Sequence, residues 1–533
     1  MAAPDTWKNT EQEDSFRPVT MPMIPTSKAL KNAVRLYKDN LPQEGLFVFD
    51  ISSLDRVGIP IQIAALITDD GFTNDGFGYG GSAEEALVGA LGEMTETYHT
   101  HYALMRAPAC EGLSFREMVN FYGSDQVVDP RTLCLSAGYP YGNDLPLRWV
   151  AVNRWRDRAR CWVPRETVAS GGAAYETRSN HTERSNPGRS AQLFPAITCG
   201  LGAGVVTEQA LSHSLLELLQ RDGNCTSFRA MDRGIDIEMD HMESPEIKAT
   251  LQQLESIGLR LRPKLASTEF GLSNIYVIAE PTDTRLAEEP FPLLATACGE
   301  AVHANRERAL RKAIQEYIAS RCRKCFMHGA LDRIVSVAPA AYTEKILKPQ
   351  PFECEEPKAL REMGGWIGRS QAELRDLLRH TVFSSNQRVQ FSQLPTVADE
   401  AVAEPAARIA DVTERLKSAG IEAYYFDASP QPEGGPRVVK AVAPGLEGET
   451  LSYWRIGARG VNRLLDRGSP LVTQKQPGAQ SLPVHLTEQQ TEELGGPVYF
   501  QVPAWEKILY GHYPLYREPS SHTVQKYLSA HGG

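Results

Sequence analysis

The chain has 533 residues, of which 42% are hydrophobic and 23% are charged, a balance typical of a globular protein large enough for more than one lobe. Its net charge of −10 argues against a nucleic-acid-binding surface, and no apolar run approaches the roughly 18 residues of a membrane span. Nine scattered cysteines and a start without a signal peptide lead us to expect a cytoplasmic protein that binds neither nucleic acid nor membrane.

The predicted elements alternate between strands and helices along the chain. Residues 1–45 are polar and interrupted by prolines, and residues 46–67 alternate as two strands around a turn. Strands and turns are predicted over 123–165, and the loop 170–190, rich in glycine, serine and arginine, is a candidate mobile lid. A proline- and charge-rich connection is predicted over 330–400. We expect an α/β (mixed α+β) fold with mixed sheets.

One helical pattern, E-x-A-L-x5-E, occurs three times, over residues 84–93, 208–217 and 307–316. Each copy has an apolar stripe and, beside it, a seam of small residues at helical spacing. The seam residues are Ala86 and Ala90, Ala210 and Ser214, and Ala309 and Ala313. A carboxylate lies on each seam at the end of the pattern, where a charged side chain among alanines needs a partner.

A glycine-rich stretch precedes each of these helices, as GFGYGG, CGLGAG and ACGEA. Glycines let a backbone pass close to a ligand, and helix N-termini offer N–H groups to phosphate. The carboxylates lie further along and reach phosphate only through a hard cation such as Mg²⁺. Glu93 and Glu96 are spaced to face one ion, and Arg221 follows Glu217 by one turn, where it can hold a phosphate oxygen. For one helix alone the alternative is an ordinary amphipathic surface helix; three copies favour a shared metal site.

Other motifs are excluded or weak. No Gly-Lys dipeptide occurs, which excludes a Walker P-loop, and the glycines of CGLGAG do not have the Rossmann spacing. Cys322 and Cys325 form one C-x-x-C pair, but zinc needs two further ligands and only His328 lies nearby, so we interpret the pair as incidental.

Five stretches of the chain follow one another in an order that matches one family. They are SSLDRVGIPI, GYGGSAEEALVGALGEMTE, TCGLGAGVVTEQALSHSLLELLQRD, GEAVHANRERALRKAIQEYIASR and VAPGLEGETLSYWRIGARG. The sequence thereby resembles the YcaO family, ATP-dependent enzymes that modify peptide backbone amides. The resemblance implies a YcaO-like fold with three Glu-bearing helices packed on mixed sheets around one nucleotide site. It divides the chain into an N-terminal extension (1–45), a YcaO domain (46–470) and a C-terminal extension (471–533) without a P-x-P-x-P tail.

The resemblance also assigns cofactors to residues, with ATP and Mg²⁺ held by the three helices. The implied cofactor-binding residues are Glu93, Glu96, Glu217, Gln220, Arg221, Glu316 and Arg321. The metal ligands among them are Glu93, Glu96, Glu217 and Glu316, which we expect to converge in one polar cavity. No catalytic residue is assigned. Several family positions are substituted, namely Ser by Gly89, Arg by Thr97, Glu by Gln220, Gln by Ala319 and the Lys of G-K-G by Tyr79.

In the family, a nucleophile adds to a peptide carbonyl, ATP phosphorylates the resulting oxygen, and phosphate leaves to give an azoline, a thioamide or an amidine. We therefore expect modification of a ribosomally made precursor peptide, together with a separate peptide-delivery or maturation protein. The missing P-x-P-x-P tail argues against azoline formation and leaves thioamidation or another amide modification open. One alternative, suggested by the substitutions, is a YcaO-like pseudoenzyme or scaffold that binds nucleotide or peptide without turnover. Another is activation of a small-molecule amide or carboxylate. A homodimer is left open.

Overall fold

The structure is a computed structural model that describes residues 27–170, 193, 197–225, 234–281, 291–346, 348, 357–448, 453–515 and 517–531. Apart from Ser170, the predicted loop 170–190 lies outside the described residues. Among the helices of the described ranges, none combines the length and the apolar character needed to cross a bilayer.

Strands occur throughout the described chain. In chain order they are β1 (Leu46–Asp50), β2 (Ile61–Ile67), β3 (Thr73–Tyr79), β4 (Ala109–Ser114), β5 (Pro146–Arg154), β6 (Arg160–Pro164), β7 (Leu201–Gly204), β8 (Ile235–Glu238), β9 (Leu259–Ser267), β10 (Ser273–Pro281), β11 (Gly299–His303), β12 (Gln387–Gln390), β13 (Tyr424–Asp427), β14 (Arg437–Val442), β15 (Val472–Thr473), β16 (Ser481–Pro483) and β17 (Tyr499–Gln501).

The helices are distributed between these strands. They are α1 (Lys28–Asp39), α2 (Ala83–Arg106), α3 (Phe115–Tyr122), α4 (Thr207–Asn224), α5 (Pro245–Ser256), α6 (Arg306–His328), α7 (Leu331–Val337), α8 (Ala340–Ile346), α9 (Pro357–Ile367), α10 (Gln371–Leu378), α11 (Pro405–Ser418), α12 (Ala458–Asp466), α13 (Glu488–Glu493), α14 (Val502–Leu509) and α15 (Thr523–His531). The three predicted Glu-bearing helices are α2, α4 and α6.

Four sheets are formed by the described strands. Their spatial orders are β1-β2-β3, β11-β10-β9-β8-β12, β4-β5-β13-β14-β7 with β6 beside β5, and β15-β17-β16. Within these sheets the pairing is antiparallel except between β8 and β12, which run parallel. The fold is mixed α+β as predicted, although only the sheet that contains β12 mixes strand directions.

Each Glu-bearing helix packs on the strand that precedes it and also on the strand that precedes another Glu-bearing helix. Helix α2 packs on β3 and on β7, α4 packs on β7 and on β11, and α6 packs on β11 and on β3. The three strand–helix units, β3–α2, β7–α4 and β11–α6, therefore close into a ring, and residues far apart in the sequence meet at its centre.

Glycines in the strands allow this close packing. A Cβ atom at Gly78 would lie less than 3.0 Å from the backbone of Ala86 and Ala90, and one at Gly299 would lie less than 3.0 Å from the backbone of Ala313. The small seam residues are likewise buried against the strands. These glycines therefore approach the helix seam, whereas the sequence suggested that they approach a ligand. Strand and helix backbones come close because neither presents a bulky side chain there.

The predicted connection over 330–400 is wrong for much of its length, since α7, α8, α9 and α10 lie there. Leu360, Met363 and Trp366 are buried at helical spacing on α9, and this helix begins at Pro357. Proline is well tolerated in the first turn of a helix because its missing N–H has no intrahelical partner there. Proline in this stretch therefore marks a helix start at Pro357 and not a connection.

The C-terminal residues fold back onto the rest of the chain. The β15-β17-β16 sheet shares an apolar cluster with α12 and α14, which includes Val461, Phe500 and Trp505. Helix α15 packs on α9 and α6, and fully buried His522 lies 2.9 Å from the hydroxyl oxygen of Tyr342 through its Nε2. The segment predicted as an extension is thus packed against the third Glu-bearing helix.

Candidate functional site

Three of the predicted glutamates accept a backbone N–H from the segment leading into their own helix. The pairs are Glu93 with Phe77 N–H at 2.6 Å, Glu217 with Gly200 N–H at 3.0 Å, and Glu316 with Glu300 N–H at 3.1 Å. The same contact thus recurs in all three strand–helix units. Each glutamate is positioned by its own unit, which explains why a carboxylate can lie on a seam of small residues.

Glu96 links the first unit to the second. Its carboxylate accepts the N–H of Ala203 on β7 at 2.8 Å, and the same carboxylate oxygen lies 4.0 Å from Nε2 of His213 on α4. Glu93 lies one turn earlier on α2. Of these two carboxylates, Glu96 therefore contacts the second unit of the ring, whereas Glu93 contacts its own strand β3.

The carboxylates repel one another. Burial raises the pKa of Glu96 to about 8, and the neighbouring Glu217 and Glu93 add to this effect. Burial likewise raises the pKa of Glu93 to about 7, with a contribution from Glu217, and burial followed by Glu300 raises that of Glu316. Glu93 is nevertheless exposed to water. It therefore lies in a cavity that is open to solvent but walled by protein.

A cation would relieve this repulsion. In the described part of the chain, no group of three or more His, Cys, Asp or Glu side chains is arranged to hold one metal ion, so a closed protein cage is not the arrangement present here. Mg²⁺ commonly takes only one or two protein carboxylates and fills its remaining positions with water and phosphate oxygens. The carboxylates at the centre of the ring fit Mg²⁺ shared with a polyphosphate.

Glu300 is a member of this cluster that the sequence reasoning did not identify. Its side chain is 5% exposed and lies 3.7 Å from the guanidinium of Arg221, and it accepts hydrogen bonds from Asn224 at 2.6 Å and Gln220 at 3.4 Å. A charged residue within the otherwise apolar LLATACGEAV was the available signal. Glu300 thus holds the predicted residues Gln220 and Arg221 beside the third unit.

Arg221 also lies 3.5 Å from Glu217 on its own helix, so its guanidinium spans carboxylates of the second and third units. It remains partly exposed, at 24%. A planar guanidinium in this position can hold a phosphate oxygen while its other donors face the two carboxylates.

Arg321 lies elsewhere than the resemblance implies. Its side chain has no exposed surface and donates to both carboxylate oxygens of Asp55, at 2.6 Å and 2.9 Å. Burial alone would raise the pKa of Asp55, but the guanidinium outweighs it and holds this pKa below its usual value. In this conformation Arg321 cannot contact a ligand; it joins α6 to the turn between β1 and β2.

Further cations surround the cluster. Lys440 on β14 is buried, donates to the carbonyl of Ile197 at 2.6 Å, and has a pKa lowered to about 8 by burial. Lys312 lies one turn before Glu316, and its charge lowers the pKa of Glu316 and of Glu96. The sequence reasoning identified neither lysine, because each stands in a stretch that reads as an ordinary strand or helix.

Two substituted family positions lie at or near this cavity. Tyr79, in the place of the family's lysine, lies near Glu316 and Glu93, and burial followed by these two charges raises its pKa. Thr97, in the place of the family's arginine, is buried and brings no charge. The cavity therefore carries fewer cations at these positions than the family pattern.

Comparison with known proteins agrees with this architecture. The family model described as "YcaO cyclodehydratase, ATP- and Mg²⁺-binding" matches residues 77–447, more than half of the chain. The chain belongs to the YcaO family. ATP and Mg²⁺, the cofactors predicted from the sequence, are those of the family.

Individual proteins that are similar to this chain are distant from it in sequence. An uncharacterized protein of Methanothermobacter thermautotrophicus is 22% identical over 443 residues, which is 82% of this chain and 99% of the relative. A YcaO protein of Methanopyrus kandleri, solved with AMPPCP and Mg²⁺, is 18% identical with a TM-score of 0.53, and the match covers 80% of this chain and 94% of that one.

A heterocyclase solved with substrate and cofactor is 15% identical with a TM-score of 0.57 over 85% of this chain. The present chain spans 57% of the length of that heterocyclase. At these identities the two solved structures show that the fold is the YcaO fold.

Proposed function

We propose that this protein uses ATP and Mg²⁺ to phosphorylate the oxygen of a peptide backbone amide, during maturation of a ribosomally made precursor peptide. Membership in the YcaO family supports ATP-dependent modification of peptide backbones in general. The observation that carries the proposal is the ring of strand–helix units. In this ring the carboxylates of α2 and α4 repel one another, and Glu316 of α6 is repelled by Glu300 of β11, which also lies beside Arg221 of α4.

The residues of the ring have distinct roles in this proposal. Glu93, Glu96, Glu217 and Glu316 would hold Mg²⁺ ions shared with the phosphates, with one or two carboxylates for each ion, and backbone N–H groups fix the direction of these carboxylates. Glu300 orients Arg221 towards the phosphates. When bound, ATP supplies the phosphoryl group and Mg²⁺ offsets the negative charge on the phosphate oxygens. The buried lysine Lys440 adds positive charge on the side of Glu217 and Glu96.

The finer features of the proposal follow from the sequence. We propose that the substrate is a precursor peptide and that a separate delivery or maturation protein takes part. The proposed domain limits are 1–45, 46–470 and 471–533, and a homodimer remains an alternative to a monomer. Cytoplasmic location belongs to it as well and is supported by the eight cysteines of the described ranges, all of which are free. The proposed product is an azoline, a thioamide or a related modification of the amide.

A second candidate is a nucleotide-binding scaffold without turnover. It is favoured by Tyr79 and Thr97, which bring no permanent positive charge to the cavity where the family carries lysine and arginine. A scaffold and an enzyme both bind ATP and Mg²⁺, so binding alone does not separate them. The release of phosphate coupled to a change in a peptide does.

The proposed function is tested with a precursor encoded beside the gene, carrying oxygen-18 in its backbone carbonyls. If the amide oxygen is phosphorylated, incubation with ATP and Mg²⁺ releases ADP and phosphate that carries the label. Loss of water from the peptide indicates an azoline, and replacement of oxygen by sulfur indicates a thioamide. Peptide modification with only unlabelled phosphate, or formation of AMP, contradicts phosphorylation of the amide oxygen. Binding of ATP without any turnover in the presence of peptide and partner supports the scaffold.

A further inference from the structure

Arg323 lies on α6 between the carboxylate cavity and the C-terminal segment 517–531. Its guanidinium carbon is 5.9 Å from the centre of the Phe77 ring, and the N–H of Phe77 holds Glu93. On its other side, a terminal nitrogen of Arg323 is 3.6 Å from Glu518, and the side chain is 41% exposed. Within the described ranges, Nε of Arg323 has no hydrogen-bond partner.

The charge of Arg323 acts on the first unit of the ring. It lowers the pKa of Glu93 and that of Tyr79, which burial otherwise raises. Arg221, by contrast, is engaged by Glu217 and Glu300 of the second and third units. Arg323 therefore supplies positive charge beside β3, where Tyr79 stands at the position of the family's lysine.

Glu518 keeps Arg323 at this place without consuming its donors. The Glu518 carboxylate lies 2.9 Å from His328 and 3.2 Å from Lys324, and both are hydrogen-bond distances. Its distance to Arg323 is longer, at 3.6 Å, so the attraction is electrostatic and the guanidinium keeps donors for another anion. Glu518 of the C-terminal segment thus lies beside three side chains of α6.

We propose that Arg323 binds an anionic oxygen of the nucleotide polyphosphate beside β3, in place of the positive charge that Tyr79 lacks, and that Glu518 of the C-terminal segment holds it there. The inference rests on the proposed function only in that the nucleotide lies between the three Glu-bearing helices. It adds a phosphate-binding residue and gives the C-terminal segment a part in nucleotide binding.

The test compares the affinity of the full-length protein for ATP with Mg²⁺, measured by calorimetry, in four forms. Arg323→Gln removes the charge and keeps a helix-compatible side chain. Lys324→Gln is the matched control, because it is the next residue on α6 and also contacts Glu518. The double variant Arg323→Gln with Tyr79→Lys returns a cation to the family's position. The parent protein is the fourth form.

We expect Arg323→Gln to weaken binding about tenfold or more, equivalent to about 1.4 kcal/mol, and Lys324→Gln to leave it within about twofold. Added salt should weaken binding of the parent more than that of Arg323→Gln. The double variant should recover most of the lost affinity. Such recovery is not expected if Arg323 only stabilises the fold.

Unchanged affinity in Arg323→Gln overturns the inference, and so does an equal loss in Lys324→Gln, which would assign the effect to packing of the C-terminal segment. If Tyr79→Lys restores no affinity to the Arg323→Gln protein, then Arg323 does not take the place of the family's lysine. If the parent protein binds ATP but modifies no peptide, the proposed function fails while the inference stands. If the parent does not bind ATP, both fail.

Discussion

Glu217 contacts several groups of the ring of strand–helix units. It accepts the N–H of Gly200, contacts Arg221, and raises the pKa of both Glu93 and Glu96 by repulsion. Glu217→Gln keeps an oxygen acceptor for Gly200 and removes one negative charge. We expect the melting temperature of the metal-free protein to stay constant or rise slightly, and its increase with ATP and Mg²⁺ to fall sharply.

Glu208→Gln is a suitable control for Glu217→Gln, because Glu208 lies in the first turn of the same helix and outside the carboxylate cluster. The control should keep the full ATP- and Mg²⁺-dependent rise in melting temperature. If Glu217→Gln instead melts lower without ligand and gains as much from ligand as the parent, then Glu217 is a structural residue and not a metal ligand.

The pKa of Glu96 predicts a pH dependence of stability in the metal-free protein. Its pKa is about 8 when folded and about 4.3 in an unfolded chain. The folded protein thus holds a proton that the unfolded chain releases, so this contribution to the free energy of unfolding is complete below about pH 4.3 and is lost as pH rises towards about 8.

Melting curves between about pH 5 and pH 8 measure this dependence. We expect the melting temperature of the metal-free parent to fall with rising pH, and that of Glu96→Gln to fall less, since glutamine does not ionise. The stabilisation by Mg²⁺ and ATP should grow over the same range as the carboxylate becomes charged. Identical pH slopes for the parent and Glu96→Gln would contradict the assignment.

At the scale of residues, the sequence predicted the carboxylates that the helical pattern repeats, because their spacing is local. Arg321 was assigned to the cofactor because it matches a family position, but its partner Asp55 lies 266 residues away. Glu300 was missed for a similar reason, since its role depends on Gln220, Arg221 and Asn224 of another unit. A pairing between distant segments leaves no period in the sequence.

At the scale of elements, Gly299 tests the close packing of strand and helix. In Gly299→Ala the new Cβ would lie less than 3.0 Å from the backbone of Ala313 and Tyr317, so β11 must move away from α6. Overpacking of this kind costs about 1–3 kcal/mol. We expect a lower melting temperature and, because the N–H of Glu300 moves with the strand, weaker binding of ATP and Mg²⁺.

The exposed Gly365 on α9 provides the matched control, since no atom lies within 4 Å of a Cβ built there. Gly365→Ala should stabilise the protein by about 0.5–1 kcal/mol, because alanine favours a helix over glycine. If Gly299→Ala and Gly365→Ala change the melting temperature equally, then the close packing of β11 on α6 does not contribute to stability.

Elements with a clear period were predicted from the sequence, including the three Glu-bearing helices and the strands β1 and β2. The helices α7 to α10 were missed because they are short, their prolines were taken as breaks, and their buried residues contact distant parts of the chain. The ring itself could not be predicted from the sequence either. Each helix shows its seam in the sequence, but nothing local shows which strand of another unit it packs on.

At the scale of the whole molecule, Glu518 joins the C-terminal segment to the third Glu-bearing helix. Despite burial, which would raise it, the pKa of Glu518 lies well below its usual value because Lys324, His328 and Arg323 surround it. Its contribution to stability is present above about pH 4.3, the unfolded value, and is lost as pH falls through the folded value.

Glu518→Gln should therefore increase hydrogen exchange in α15 and in the last turns of α6, while the β4-β5-β13-β14-β7 sheet keeps its protection. A loss of about 1–3 kcal/mol in local opening free energy is expected for a charged hydrogen-bond partner. The exposed partner of Arg131, Glu488, provides the control, and Glu488→Gln should leave exchange in both regions unchanged. If α15 keeps its protection from hydrogen exchange in Glu518→Gln, then Glu518 does not hold the C-terminal segment against α6.

The ring of three units also determines when the carboxylate cluster can form during synthesis of the chain. Glu96 finds its N–H donor only when Ala203, 107 residues later, has been made, and the third carboxylate follows at Glu316. At about 5–20 residues per second, a nascent chain spends roughly ten seconds or more on the ribosome with Glu93 complete and its partners absent. A chain that has not yet reached Glu316 therefore lacks the third unit of the ring and the complete set of carboxylates.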